Sequence, residues 1–177
     1  MASLSLMFVW LDKRVGNLPG GNEKLKGKFR KLLTPIRQFD RPTACHDHIE
    51  LSLRDKRVVF LTSNAFADEF FLKKIASLPN VNHIYVYDQQ GNDYQIDDTN
   101  LNQKMGSKRV IQFDERLYEQ LILDLITIYS NESERLGTGR DAKELLETAI
   151  KLLDTIDDKD QDFQQMERNL KSRLTYL

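Results

Sequence analysis

The chain has 177 residues, which is long enough for one hydrophobic core or for one core with an appendage. Hydrophobic residues make up 40% of the sequence and charged residues 30%, and this composition argues against wholesale disorder. The formal net charge of -1 argues against a dedicated nucleic-acid binder, because such proteins usually carry a strong basic excess.

The cysteine content and the hydropathy pattern bear on the cellular setting. Cys45 is the single cysteine, so no intrachain disulfide is possible. The sequence has no run of about 20 apolar residues, the length that a helix needs to span a bilayer. The apolar start of the chain lacks a preceding basic segment, so it indicates a first strand and not a signal peptide. We therefore expect a cytoplasmic protein without a membrane span.

Strands and helical stretches alternate over most of the chain. The predicted strands are, in chain order, Leu4 to Leu11, Pro42 to His46, Arg57 to Leu61, Val81 to Tyr87 and Lys108 to Phe113. Helices are predicted from Asn22 to Pro35, from Asp47 to Leu53 and from Ala65 to Ser77, and residues 89–107 are predicted as a long polar loop with room for one helical turn. This rhythm is typical of βαβ units. The predicted fold is α/β, with a five-stranded parallel open sheet in the flavodoxin-like or receiver-like order 2-1-3-4-5.

A helical extension follows the sheet. A strong helix is predicted from Asp114 to Arg135, and Gly137 to Gly139 ends it. We therefore divide the chain into a receiver-like domain at 1–135 and a helical tail at 136–177. The tail carries apolar residues at alternating spacings of four and three from Leu145 to Leu177, a heptad seam interrupted by Lys159 and Arg173. This seam predicts a coiled-coil homodimer, and the alternative is an intrachain hairpin in which the tail folds back onto the helix from Asp114 to Arg135. The pair Asp157 and Asp158 leaves open a split of the tail into two helices.

Polar residues follow several of the predicted strands. In an open parallel sheet, ligands bind at the carboxyl ends of the strands. The candidate ligand rim there comprises Asp12 after the first strand, Thr62 and Ser63 after the third, and Asp88 after the fourth. Such a rim is expected in any fold of this type, so it does not identify a ligand.

The strand rhythm and Asp12 resemble the receiver domains of bacterial response regulators. That family needs a pair of acids after the first strand and an aspartate phosphoacceptor at the end of the third strand. Here Lys13 stands beside Asp12 in place of a second acid, and Thr62 or Ser63 stands at the acceptor position. Lys108 begins the fifth strand, whereas the family has a lysine after it. We therefore expect no phosphotransfer of the receiver type.

Three sequence phrases, FVWLD, RVVFLTSNAFADEFF and LPNVNHIYVYD, give a closer resemblance over about residues 6–135. They are similar to a receiver-like domain at the front of animal multidomain proteins, especially those of bdelloid rotifers. There it precedes tetratricopeptide repeats or an ADP-ribosyltransferase domain. The segment after the fourth strand departs from that pattern. The resemblance implies an accessory interaction or sensing module and carries no activity with it.

Other patterns of reactive residues are weak. Cys45, His46, Asp47 and His48 suggest a metal cluster, but on the predicted strand adjacent side chains would alternate between faces, so we predict no metal site. A Cys45 nucleophile would need His83 as its base. The segment Gly16 to Gly21 matches no phosphate-binding motif.

The sequence therefore favours a non-catalytic receiver-like module that binds protein partners and self-associates through its C-terminal helices. We predict no catalytic residues and no cofactor. The alternative is an enzyme or sensor that binds a nucleotide-like ligand at the strand ends, such as a TIR-like NAD hydrolase. Glu50 or Glu69 would then supply the glutamate of the pocket.

Overall fold

The chain divides into two compact units, Ser5–Leu117 and Tyr118–Leu177. The computed structural model describes residues 5–14, 16, 18, 22–88, 96–106, 110–111 and 114–177, with the backbone alone at 110–111. The boundary between the units falls near residue 117, whereas the sequence pattern placed it after residue 135. Most of the helix predicted from residue 114 thus belongs with the tail. Among the described residues, no helix is long and apolar enough to cross a membrane.

The first unit is built on a parallel sheet. Its four main strands are β1 (Leu6–Leu11), β2 (Ile36–Phe39), β3 (Arg57–Ser63) and β4 (Val81–Tyr87), in the order β2-β1-β3-β4. A two-residue segment, β5 (Val110–Ile111), pairs in parallel with β4. The α/β class and the parallel sheet are therefore confirmed. The outer residues of the predicted fifth strand, 108–109 and 112–113, lie outside the described residues.

The helices described in the first unit are α1 (Glu23–Leu32), α2 (Pro42–Asp47), α3 (Glu69–Ser77) and α4 (Thr99–Met105), with a π-helical segment at His48–Ser52 and a 3₁₀ turn at Asn64–Phe66. All but α2 begin at a polar side-chain cap. The side chains of Asn22, Asp68 and Asp98 accept the backbone N–H three residues onward in α1, α3 and α4. Each cap satisfies a donor that the helix leaves unpaired. The segment 89–107, predicted as a loop, contains α4.

The prediction of the second strand is wrong. The strand is Ile36–Phe39, which the sequence pattern had placed at and beyond the end of the preceding helix, and Pro42–Asp47 is helical. Proline suits the first turn of a helix because its fixed φ is already helical and its missing N–H is not needed there. Asp47 is not an N-cap, since the π-helical segment continues directly from α2.

Alternate side chains along the strands point to opposite faces of the sheet. One face packs its apolar side chains, such as Val9 and Phe60, against Cys45 and against residues of α3 and α4. Phe8, Trp10 and Leu61 belong to the other face and are also buried. Both faces are covered because β2 is added on one side of β1 and the later strands on the other side. With right-handed crossovers, connections that run in opposite directions along the sheet place their helices on opposite faces.

The second unit contains helices that pack side by side. They are α5 (Glu115–Leu136, whose first three residues belong to the first unit), α6 (Arg140–Leu153) and α7 (Gln161–Thr175). The Tyr118 hydroxyl donates to Thr155 Oγ1 at 2.9 Å, and the Ser133 hydroxyl donates to the Ala142 carbonyl at 2.9 Å. The start of α5 thus lies beside the end of α6, and the end of α5 lies beside the start of α6. The two helices are therefore antiparallel.

The predicted seam from Leu145 to Leu177 is split between α6 and α7. The chain leaves α6 after Leu153, and Asp160 caps α7 by accepting the Phe163 N–H. The two helices pack against each other, and Leu145, Phe163 and Leu170 are buried. A single continuous seam is therefore wrong. The tail is divided into two helices near Asp157 and Asp158, and α6 lies against α5 through the hydrogen bonds of Tyr118 and Ser133.

Both charged seam positions have ionic partners. Lys159 Nζ lies 3.3 Å from Asp154 Oδ1 and 3.0 Å from Glu167 Oε2. Arg173 donates to Ser130 Oγ, and its guanidinium lies 3.1 Å from Glu134 Oε1. These pairs explain how cations are accommodated at positions that otherwise hold apolar side chains.

Candidate functional site

The four predicted rim residues all lie at the carboxyl ends of strands. Asp12 directly follows β1, Thr62 and Ser63 end β3, and Asp88 directly follows β4. Because these strands are parallel neighbours, the four residues share one edge of the sheet. Only Asp12 is substantially accessible, since the other three are 0 to 8% exposed. The rim is thus largely covered, which leaves little polar surface for the ligand that the sequence pattern allowed for.

A chain of side-chain hydrogen bonds links the ends of β1 and β4. Trp10 Nε1–H donates to the Tyr87 hydroxyl oxygen at 2.6 Å, and the Tyr87 hydroxyl donates to Asp12 Oδ2. Trp10 pairs with Leu61 of β3 and Tyr87 pairs with Ser63, so both aromatic side chains lie on the same face of the sheet. These hydrogen bonds therefore cross over the end of β3, from β1 to β4. We call Trp10, Tyr87 and Asp12 the strand-end triad.

The carboxylate of Asp12 is engaged on both oxygens. Oδ2 accepts the Tyr87 hydroxyl, and Oδ1 accepts the backbone N–H of Arg14 at 3.1 Å. The backbone N–H of Asp12 in turn donates to the Phe39 carbonyl of β2 at 3.0 Å. An acid held in this way fixes the loop after β1 and has less capacity left for a cation than a free carboxylate has.

Tyr87 serves as a hydrogen-bond donor in the strand-end triad. Burial, reinforced by the hydrogen bond to Asp12, raises the pKa of Tyr87 well above its ordinary value. The phenol consequently stays protonated across the physiological range. A protonated phenol that already donates to a carboxylate is poorly suited to act as a general base.

The position of a receiver phosphoacceptor holds hydroxyl groups. Thr62 Oγ1 lies 3.2 Å from the Leu11 carbonyl and 3.3 Å from the Ser63 carbonyl, so its hydroxyl is used within the sheet. Ser63 is also buried. Neither side chain offers the carboxylate from which an acyl phosphate would form.

The possible Cys45–His83 pair is excluded by the sheet itself. Cys45 packs in the cluster that contains Val9 and Phe60. His83 pairs in register with Val59 and stacks on Tyr85, both of which belong to the opposite face. Burial raises the pKa of the Cys45 thiol to about 12, so almost no nucleophilic thiolate is present at neutral pH.

Of the two glutamates considered for a hydrolase, Glu50 does not lie at the carboxyl ends of the strands. Asn80, which precedes β4, donates to the carbonyls of Ile49 and Leu53 at 3.2 and 2.7 Å. These bonds place the π-helical segment that contains Glu50 at the amino-terminal edge of the sheet. Glu69 lies in the first turn of α3, where its carboxylate pairs with Lys73 at 2.5 Å.

Sequence reasoning missed Trp10 and Tyr87. The motifs that contain them, VWLD and VYD, were treated as strand patterns with a polar end. A usable signal was present, because Trp10 stands two residues before Asp12 and Tyr87 is the last residue of its strand. Aromatic residues with a polar atom near a strand end need a hydrogen-bond partner when they are buried.

A second concave surface lies within the helical unit. A groove of about 540 Å³ runs between α5 and α7. Its apolar side chains are Ile126, Met166 and Leu170, while Asp162 and Arg173 also line it. A mixed lining of this kind suits a protein side chain or helix better than a small charged metabolite.

Similarity to known proteins provides no independent guide to this site. Comparison of the chain with protein-family models, with curated proteins and with solved structures gives no match.

Proposed function

We propose that this chain is a non-catalytic, receiver-like protein-interaction module that self-associates through its C-terminal helices. The strand order β2-β1-β3-β4, with β5 beside β4, supports a flavodoxin-like arrangement. The state of Asp12 carries the non-catalytic part of the proposal. Its two carboxylate oxygens accept hydrogen bonds from Tyr87 and from the Arg14 backbone, which leaves no free acid at the end of β1.

Phosphorylation and ligand binding test the non-catalytic part. We expect no phosphoryl adduct by mass spectrometry after incubation with acetyl phosphate and Mg²⁺. We also expect no thermal shift with NAD, nucleotides or Mg²⁺, although a ligand at 100 times its dissociation constant would stabilise the fold by about 2.7 kcal/mol. A hydroxylamine-sensitive adduct, or a saturable shift with NAD, would favour an enzyme or sensor instead.

The groove between α5 and α7 is the surface that we assign to self-association. Leu145 and Phe163 of the predicted seam are buried between the helices, whereas Met166, Leu170 and Arg173 of the same seam line the groove and remain available to a second copy. The groove offers partly exposed Met166 beside Leu170. Tyr176 and Leu177, which follow α7, are 84 and 36% exposed. A groove with apolar side chains at its centre and polar side chains around them suits a helix-to-groove contact with a second copy.

Light scattering of the full chain tests this surface. We expect a concentration-dependent dimer that Met166→Glu abolishes, because the substitution places a charge in the groove. Gln164→Glu is the matched control, since Gln164 is exposed on the same helix and does not line the groove. A wild-type chain that stays monomeric at micromolar concentrations would rule out self-association and leave only other protein partners.

A further inference from the structure

The helix that replaces the predicted second strand brings three potential metal ligands together. His46, Asp47 and Glu50 lie on α2 and the π-helical segment that follows it. No metal site was predicted here because adjacent side chains on a strand point apart, and that reason does not apply to a helix. Cys45 faces the core and takes no part in the cluster.

The separations between the three side chains match those of ligands on a common ion. His46 Nδ1 lies 3.5 Å from Asp47 Oδ1 and 3.9 Å from Glu50 Oε2, and all three ligand atoms lie within 4.8 Å of one another. Tetrahedral Zn²⁺ has bonds of about 2.0–2.2 Å, which place its ligand atoms roughly 3.4 Å apart. Small rotations of exposed carboxylates are enough to close the difference, since the side chains of Asp47 and Glu50 are 58 and 49% exposed.

The cluster also has excess negative charge. Two carboxylates face one imidazole, and among the described residues no lysine or arginine nitrogen lies within 4.0 Å of either carboxylate. Arg54 is nearby in sequence but directs its Nε to the Glu50 backbone carbonyl, at 3.0 Å. A divalent cation would neutralise both acids and would use the imidazole nitrogen as a ligand.

We propose that His46, Asp47 and Glu50 bind a divalent transition-metal ion, with Zn²⁺ as the best match. One imidazole nitrogen with two carboxylates suits Zn²⁺, whereas Ca²⁺ and Mg²⁺ prefer oxygen ligands alone. Histidine and glutamate four residues apart lie on the same side of a helix, a spacing that metal sites commonly use. Water completes the coordination. The site lies outside the strand-end rim, so it is independent of the function proposed above.

Calorimetric titration of the untagged full chain with Zn²⁺ tests the site. We expect the wild type to bind one equivalent, and His46→Gln and Glu50→Gln each to weaken binding at least about 10-fold, the loss that even outer-shell changes cause at metal sites. Titration with Co²⁺ gives a second measurement, because nitrogen and oxygen ligation in a distorted tetrahedron produces visible absorption that is much stronger, and at longer wavelength, than the weak band of hexaaquo Co²⁺.

Two control variants separate ligation from general surface charge. Glu69→Gln makes the same charge change at an exposed glutamate that is paired with Lys73. His48→Gln removes an imidazole that packs on Phe39, with ring centroids 5.2 Å apart, and that is not in the ligand set. Both controls should bind Zn²⁺ like the wild type. Absence of saturable binding, unchanged binding by His46→Gln, or equal weakening by Glu50→Gln and Glu69→Gln would overturn the proposal.

Discussion

At the scale of single residues, the strand-end triad makes Tyr87 a point of high sensitivity. Replacement of Tyr87 by Phe leaves the buried Trp10 N–H without its acceptor and Asp12 Oδ2 without the Tyr87 donor. We expect a loss of about 1–3 kcal/mol in the free energy of unfolding, because a buried polar group that loses its partner costs that much. Urea unfolding followed by circular dichroism measures this loss.

The matched substitution is Tyr176→Phe. Tyr176 is 84% exposed, so its hydroxyl is solvated in both the folded and the unfolded chain. We expect a change of less than about 0.5 kcal/mol, as for ordinary surface substitutions. An equally small effect of Tyr87→Phe would show that the triad contributes little to stability.

The residues at strand ends could be predicted from the sequence, but their partners could not. Asp12, Thr62, Ser63 and Asp88 follow from recognising where each apolar run stops. The bond between Tyr87 and Asp12 joins residues 75 positions apart and crosses over β3. It depends on strand order, register and facing together. The alternation of strands and helices predicted the order, and the periodicity predicted which side chains share a face, but neither supplies the register.

At the scale of the elements, alanine substitution at two glycines is expected to change the stability of the fold in opposite directions. Gly139 precedes α6 with φ +131° and ψ -178°, a conformation that is essentially restricted to glycine. Gly27 lies inside α1 without a positive φ, and an added Cβ would meet nothing within 4 Å at either position. Backbone conformation therefore decides both substitutions.

We expect Gly139→Ala to lower the free energy of unfolding by about 1–3 kcal/mol through backbone strain. Gly27→Ala should raise it by roughly 0.5–1 kcal/mol, since alanine reduces the entropy of the unfolded chain and favours the helix. Thermal and urea unfolding of the two variants show directly whether each substitution raises or lowers the free energy of unfolding. A stabilising Gly139→Ala would mean that the chain can enter α6 through another conformation.

Elements with strong periodicity were easier to predict than elements with weak local signals. The helices that begin after Asn22 and at Glu115, and the strand Val81–Tyr87, follow directly from their patterns. The edge strand Ile36–Phe39 has only four residues, none fully buried, and it pairs with one neighbour. Its identity therefore depends on docking beside β1, which the local sequence does not specify.

At the scale of the whole molecule, a buried thiol and two buried phenols predict that the fold loses stability at alkaline pH. Burial raises the pKa of the Cys45 thiol from 9.0 to about 12, and the pKa values of Tyr87 and Tyr129 are also raised, mainly by burial. The unfolded chain releases these protons first, so above about pH 9 the native state binds more protons than the unfolded state. Stability then falls as pH rises, by about 1.4 kcal/mol per pH unit for each group concerned.

Urea unfolding at a series of pH values checks this slope. Between about pH 9 and pH 10 the thiol dominates, because an unfolded tyrosine ionises only near pH 10. We expect Cys45→Ala to be less stable than the wild type at pH 7, since Cys45 is fully buried, but to lose less stability over that interval. Parallel slopes in the two proteins would show that Cys45 does not contribute to the pH dependence.

The position of Trp10 makes the two compact units separable by spectroscopy. It is the single tryptophan of the chain and lies within Ser5–Leu117, while the helical unit contains none. Its fluorescence emission therefore reports unfolding of the sheet-bearing unit alone, whereas far-ultraviolet dichroism also registers the helices of Tyr118–Leu177. Coincident transitions would mean that the two units unfold as one cooperative system, and displaced transitions would give each unit its own stability.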